Sequence, residues 1–220
     1  VSEYLHRAIA EGKNIMFEAQ LGALRDIDLG IYPYTSSSST IAAYAPIGAG
    51  IPGEQLTDVI GIMKAYSTCV GEGPFTVEMF GDEAEALRKA GGEYGAATGR
   101  PRRVGPFDIP ASRYGVRVQG ATEIALTKLD VLSYLDRIPV CVAYEVDGER
   151  TVNFPTGERL NRAKPVIEYV PGFGDVSGCR TWESLPQAAK DYVRYLEETV
   201  GCKITYVSVG AGRDEYVKVD

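Results

Sequence analysis

The stretch Glu123-Ile124-Ala125-Leu126-Thr127-Lys128-Leu129-Asp130 decides the fold. Residues 123–126 read as a short buried strand, and Thr127 to Asp130 as the turn at its carboxyl end. A helix over 109–118 precedes it. Downstream, residues 140–146 and 150–154 flank Asp147-Gly148, a two-residue hairpin signal, and residues 166–170 form a further strand. Ser184-Leu185-Pro186-Gln187 reads as a capping box. It opens a helix that turns Ala188, Tyr192, Leu196 and Val200 inward and ends at Gly201. Residues 203–209 and 215–219 are closing strands.

Upstream the pattern is less regular. Tyr4, Leu5, Ala8 and Ile9 fall at helical spacing, and residues 14–18 read as a buried strand. From there to Pro52 the chain is rich in Gly, Ser, Ala and Pro without a sustained period, a length that marks a binding surface inside a compact domain. Leu56, Val59, Ile60 and Met63 predict a helix reaching Tyr66. Residues 75–79 read as a strand, and 82–90 as a charged helix closed by Gly91-Gly92. Strands alternating with helices predict an α/β class: a central, mostly parallel sheet with flanking helices and a small antiparallel hairpin region. No internal repeat or linker divides residues 1–220, which read as one domain.

The 220 residues are 45% hydrophobic, enough to bury a sizeable core. A net charge of −7 argues against a nucleic-acid surface, which needs clustered Lys and Arg. An acidic chain that binds an anion must do so through a local basic knot, and Arg100, Arg102 and Arg103 supply one in the glycine-rich stretch 91–107. Cys69, Cys141, Cys179 and Cys202 form no CxxC pair, which fits reduced core thiols in a cytoplasmic protein rather than a zinc site or disulfide framework. The apolar runs are too short to span a bilayer. The chain opens at Val1 directly in a helical pattern, as expected of a fragment, a processed chain or a truncation.

Three loops carry the chemistry. Asp130, fixed at a strand end, can accept hydrogen bonds from the ring N–H and exocyclic amine of guanine, a donor pair that adenine does not offer. Each charge-assisted bond contributes roughly 1.5–3 kcal/mol. Lys128 can lay its stem along the base. An ordinary strand-end ion pair explains the same residues. The second loop, Gly95-Ala96-Ala97-Thr98-Gly99-Arg100-Pro101-Arg102-Arg103, offers backbone N–H groups and guanidinium forks to carboxylate or phosphate. The third, Gly30 to Thr40, is rich in hydroxyls and by composition alone reads as a linker.

In chain order the segments Asp26-Ile27-Asp28, Gly30-Ile31-Tyr32-Pro33-Tyr34, Lys64-Ala65-Tyr66-Ser67-Thr68, Gly73-Pro74-Phe75, Thr98-Gly99-Arg100, Leu126 to Leu132 and Leu185-Pro186-Gln187-Ala188 resemble adenylosuccinate synthetase. That family uses GTP to join L-aspartate to IMP in purine synthesis, with a P-loop-NTPase-like fold. The resemblance implies that Lys128, Leu129 and Asp130, with Ser208, Val209 and Gly210, read guanine and that Arg102 contacts GTP. It implies that Ala96, Ala97, Thr98, Gly99, Arg100, Pro101 and Arg102 hold aspartate, and that Ser36, Arg100 and Gln20 contact IMP, which turns the serine loop from linker into a phosphate site. It further implies a homodimer and a need for Mg2+.

The sequence departs from the family pattern in places. The family segment Glu-Gly-Ala-Gln-Gly appears as Glu18-Ala19-Gln20-Leu21-Gly22, so the IMP-contacting glutamine is Leu21 without a gap and Gln20 with a one-residue shift. Ala97 stands where a second threonine is common, Pro106 replaces a usual tryptophan, and the loop 210–215 lacks the usual proline. The family's phosphate-cradling loop, its magnesium ligands, its aspartate base and its histidine acid match nothing in this chain, and the only histidine, His6, falls at no catalytic position. The expected activity of the isolated chain is therefore nil. Two readings follow: the carboxyl-terminal portion of the ligase, or a non-catalytic purine-nucleotide-binding or regulatory relic of it.

Overall fold

A computed structural model describes residues 1–219. Strand β1 (Ile60–Lys64) lies at the edge of a sheet ordered β1-β5-β9-β10, with β5 at Glu123–Thr127, β9 at Ile204–Ser208 and β10 at Tyr216–Lys218. β5 pairs in parallel with both β1 and β9, and β10 closes the sheet antiparallel to β9. Ile124 and Leu126, which share one face, are wholly buried, whereas Glu123, Ala125 and Thr127 on the other face are half-buried.

A second sheet is larger than the hairpin expected from Asp147-Gly148. Strand β6 (Arg137–Val146) runs parallel to β4 (Phe107–Asp108) and antiparallel to β7 (Glu149–Thr151) and β8 (Lys164–Pro171). β2 (Ser67–Cys69) and β3 (Arg103–Gly105) make a small antiparallel pair. Among the helices, α4 (Ile109–Gln119) packs between the second sheet and α6 (Gln187–Val200). α6 buries Ala189, Tyr192, Val193, Leu196 and Val200 along one face, the i, i+3/i+4 stripe of an amphipathic helix. Its Tyr192 hydroxyl donates to the Ala65 carbonyl at 3.0 Å and so ties α6 to the end of β1. α1 (Ser2–Ala10), α2 (Tyr44–Gly48), α3 (Gly81–Gly91) and α5 (Glu158–Asn161) complete the set. No helix among the described residues is long and apolar enough to cross a membrane.

Several local expectations are corrected. The helix predicted through Leu56 to Tyr66 is a strand over its second half: β-branched Ile60 and Ile62 find the ladder of β5, and tertiary pairing overrides an i, i+3 spacing. Residues 14–18 form no strand. Met16 is exposed, and no neighbouring strand supplies a ladder. Residues 75–79 are likewise irregular, held by one ladder-like bond from Met79 N to the Val104 carbonyl at 2.9 Å. β7 stops at Thr151 rather than continuing to 154. Ser184 does not cap α6. Its Oγ instead donates to the Thr181 carbonyl at 2.7 Å, and the residue before the helix is Pro186, without a side-chain cap. All four cysteines are free, but Cys69 is not a core residue: Arg25 Nη2 donates to its Sγ at 2.9 Å.

The unpatterned stretch before Pro52 is organised by one buried side chain. Asp26 accepts from the backbone N–H groups of Asp28 and Leu29 at 2.9 Å each and from Thr40 at 2.7 Å, with the Ser39 hydroxyl at 3.0 Å. A linker has no reason to fold onto a carboxylate in this way; the serine loop is a structured element.

Asp108 caps α4, accepting from Ala111 N at 3.1 Å, and its other oxygen accepts the Tyr144 hydroxyl at 2.6 Å. Burial pushes its carboxyl up to about 6, more than these two donors offset. A raised carboxyl contributes stability that is complete below the unfolded value near 3.8 and is lost as pH rises through about 6. Asp108→Asn imitates the protonated carboxyl: its amide oxygen can accept from Ala111 N, and its NH2 donates to the Tyr144 hydroxyl in place of accepting from it. Denaturant melts should therefore find it equal to wild type near pH 4 and more stable than wild type above pH 6.

Candidate functional site

The carboxyl ends of β1, β5 and β9 meet on one side of the first sheet. β5 ends at Thr127, whose carbonyl accepts from Ala65 N at 2.8 Å and whose hydroxyl donates to the Met63 carbonyl at 3.2 Å. The chain then turns sharply: Lys128 takes a left-handed conformation with φ 62° and ψ 35°, and a short 3-10 turn follows over Leu129–Leu132. That strained residue is held by the neighbouring strand. Lys128 N donates to Ser208 Oγ at the end of β9, at 2.9 Å. The turn from Thr127 to Asp130 is thereby joined to the loop that begins at Ser208.

Asp130 is half-buried, and its Oδ1 is among the buried side-chain oxygens without a hydrogen-bond partner. Burial raises its carboxyl above the usual carboxylate range, with Glu215 and Asp175 adding to the rise and Lys128 opposing it. The Lys128 ammonium does not pair with Asp130. It donates to the Gly91 carbonyl at 2.6 Å and lies 3.6 Å from Glu93 Oε1. The strand-end ion pair that could have explained the lysine and aspartate is therefore not formed. Gly91 must lack a side chain, because a Cβ there would strike the Tyr66 hydroxyl.

Glu93, unremarked in the sequence, is the hub of the site. It has no exposed surface, yet it accepts from Lys64 Nζ at 2.9 Å, from the Tyr66 hydroxyl, and from Arg102 Nη1 at 2.8 Å. Burial alone would raise its carboxyl, but the bonds from Lys64, Tyr66 and Arg102 reverse this and hold it near 2. The backbone repeats the link, since Arg102 N donates to the Glu93 carbonyl at 2.9 Å. No sequence signal announces this residue: its partners come from positions 64, 66, 102 and 128.

The loop from Ala96 to Pro101 is exposed and turns back on itself, with Gly95 N donating to the Arg100 carbonyl and Gly99 N to the Gly95 carbonyl, both at 2.8 Å. Arg100 projects from it with no side-chain hydrogen bond or ion pair among the described residues. Arg102 Nε is buried without a partner. Arg103, the third member of the knot, points elsewhere and is bound to Glu78 and to the carbonyls of Gly71 and Gly73. Ser36 is folded into the serine loop, its Oγ donating to the Ser38 carbonyl at 2.9 Å. Gln20 and Leu21 are both exposed, and Leu21 sits at φ 76°. No hydrogen bond or ion pair joins Ser36 or Gln20 to Arg100 or to the Thr127–Asp130 turn.

Among the described residues no group of three or more His, Cys, Asp or Glu side chains is placed to hold a metal ion.

A profile of the adenylosuccinate synthetase family matches residues 1–217. The chain belongs to that family. Adenylosuccinate synthetase from Mycobacterium marinum is 47% identical over 215 residues, covering 97% of this chain and 50% of that protein. The enzyme of the same name from Syntrophotalea carbinolica is 48% identical over 217 residues, covering 98% of this chain and 50% of its own length. The chain thus spans about half the length of the curated relatives it matches. A fully ligated adenylosuccinate synthetase from Plasmodium falciparum superposes with a TM-score of 0.93 at 35% identity, over 99% of this chain and 53% of that one. A cyanophage S-2L succinoaminodeoxyadenylate synthetase shares the fold at a TM-score of 0.59 and 17% identity.

Among the described residues, the bond from Lys128 N to Ser208 Oγ is the side-chain hydrogen bond that fastens the two carboxyl-end loops together. Ser208→Ala leaves a half-buried N–H unpartnered in a left-handed turn and should cost about 1–2 kcal/mol of unfolding free energy in denaturant titrations.

Proposed function

We propose that this chain is the nucleotide- and aspartate-binding portion of an IMP–aspartate ligase driven by GTP. The observation that carries the reading is the buried, unpartnered Oδ1 of Asp130 at the carboxyl end of a parallel strand, in a chain of this family. Guanine is the base whose N1–H and 2-amino group both donate toward such a carboxylate. Leu129, Ser208, Val209 and Gly210 are assigned to the surroundings of the base, and the Lys128 stem to its face.

Arg102 shares Glu93 with Lys128 and is assigned to GTP. The loop 96–102, exposed as far as Pro101 and with Arg100 uncommitted, is assigned to the carboxylates of aspartate, where backbone N–H groups and a guanidinium fork match a planar anion. Ser36, Gln20 and Arg100 are assigned to IMP. In the family reaction the γ-phosphoryl group of GTP passes to the 6-oxygen of IMP, leaving GDP. The aspartate amine then attacks C6 and expels inorganic phosphate, giving adenylosuccinate. These residues bind and orient the three substrates. No general acid, general base or metal ligand is assigned among them, so residues 1–220 by themselves are expected not to turn over.

The alternative, a binding or regulatory relic, draws on the altered stretch Glu18 to Gly22, where Leu21 takes a left-handed φ and the glutamine is displaced by one position. Calorimetric titration with GTP, IMP and L-aspartate separates the two readings. A relic retaining only the base site binds GTP and neither of the others. Binding of all three supports the ligase assignment.

Base choice tests Asp130 directly. In Asp130→Asn the amide can donate to the 2-oxygen of xanthine, so GTP affinity should fall about tenfold or more and xanthosine triphosphate should become the better ligand. An unchanged preference would reduce Asp130 to a structural residue.

A further inference from the structure

Glu93 stands outside every role assigned so far, yet it connects the two loops on which those roles rest. Its two carboxylate oxygens divide the work. Oε1 takes Lys64 Nζ at 2.9 Å and the Tyr66 hydroxyl, with the Lys128 ammonium at 3.6 Å, while Oε2 takes Arg102 Nη1 at 2.8 Å. The partners come from three segments: Lys64 and Tyr66 from the end of β1 and just past it, Arg102 from the anion loop, and Lys128 from the turn after β5. Lys64, Arg102 and Lys128 carry three positive charges around one carboxylate, so the cluster retains a surplus of positive charge.

We propose that Glu93 is a positioning residue that fixes Lys128 and Arg102 relative to each other, so that the base-reading turn and the anion-binding loop engage one nucleotide as a unit. The inference rests on the guanine-nucleotide reading above. Three features argue that the carboxylate is more than a structural tie. First, the Lys128 ammonium donates to the Gly91 carbonyl at 2.6 Å and lies 3.6 Å from Glu93 Oε1, so the carboxylate charge holds a lysine that the backbone already directs. Second, Arg102 spends Nη1 and its backbone N–H on Glu93, whereas its Nε is buried with no partner. A guanidinium anchored at one end presents its remaining N–H groups in a set direction. Third, a salt bridge serving stability alone is replaceable by apolar packing, whereas this one keeps three cations half-exposed beside the loop that needs them.

The geometry also states what Glu93 does not do. It reaches neither Asp130 nor Ser208, so base discrimination should survive its loss while affinity falls. That split distinguishes positioning from general damage to the fold.

The test is calorimetric titration of the full chain with guanosine diphosphate and with xanthosine diphosphate, alongside thermal melts. Glu93→Gln should weaken guanosine diphosphate by about tenfold or more and leave its preference over xanthosine diphosphate unchanged. Glu93→Asp, which restores the charge on a shorter arm, should recover part of the loss. In a double-mutant cycle, Glu93→Gln should cost little further affinity once Arg102→Gln is present, because the two act through the same contact. Lys64→Gln serves if Glu93→Gln fails to fold. It leaves the carboxylate in place but removes one cation from Oε1, draws Lys128 toward Glu93, and should weaken guanosine diphosphate several-fold. A lowered melting temperature with affinity within twofold of wild type, in Glu93→Gln or in its substitute, overturns the positioning role. Additive losses in the cycle overturn it as well. Absence of guanosine diphosphate binding by the folded wild type overturns the guanine reading itself and takes this inference with it.

Discussion

Removing a carboxylate from water costs several kcal/mol unless other groups replace the lost solvent, and Glu93 is removed completely. Its replacement shell is a lysine and a tyrosine from one segment and an arginine from a second, with a lysine from a third close by. The constraint works in both directions. Glu93 is tolerable only when β1, the end of α3, the anion loop and the turn after β5 are all in place, and those segments are held in register because Glu93 needs them. The glycine at 91, where any side chain would strike Tyr66, belongs to the same arrangement.

The parallel pairing of β5 between β1 and β9 sets the stage for this hub. Parallel strands present their carboxyl ends together, and turns leaving those ends are free of ladder bonds. The turn after β5 uses that freedom to place Lys128 in a left-handed conformation and to leave Asp130 Oδ1 buried without a partner. Both are local costs. They persist because the Lys128 backbone is fastened to Ser208 and because Leu129, Val131 and Leu132 are anchored in the core beneath.

Much of the chain was legible from residues alone. The helices at 81–91, 109–119 and 187–200 declared themselves through periodicity and glycine stops, and the strands at 123–127, 137–146 and 204–208 through short apolar runs. The misreadings share one cause. Residues 60–64 carry a helix-like spacing but sit beside a strand that needs a partner, and residues 14–18 carry a strand-like composition with no partner nearby. Strand formation depends on what lies alongside, and adjacency is not written in a local window. The serine loop deceived by composition for the same reason: Asp26 reaches from 13 residues away to order Ser39, and nothing local shows it.

From residue order came the α/β class, the family resemblance, and the identity of the residues in the Thr127–Asp130 turn, because these are matters of pattern within short segments. Folding decided which of them share a site. Arg102 and Arg103 are neighbours in sequence, yet one faces Glu93 and the other Glu78. Lys128 and Asp130, close enough in sequence to form an ion pair, do not pair, because the Gly91 carbonyl takes the lysine. Glu93 carries no motif at all and became the centre of the site only when three distant donors converged on it. Hydrogen bonds and charge pairing act over a few ångströms in space, whereas pattern acts over a few residues in sequence, and the two coincide only where the chain is locally regular.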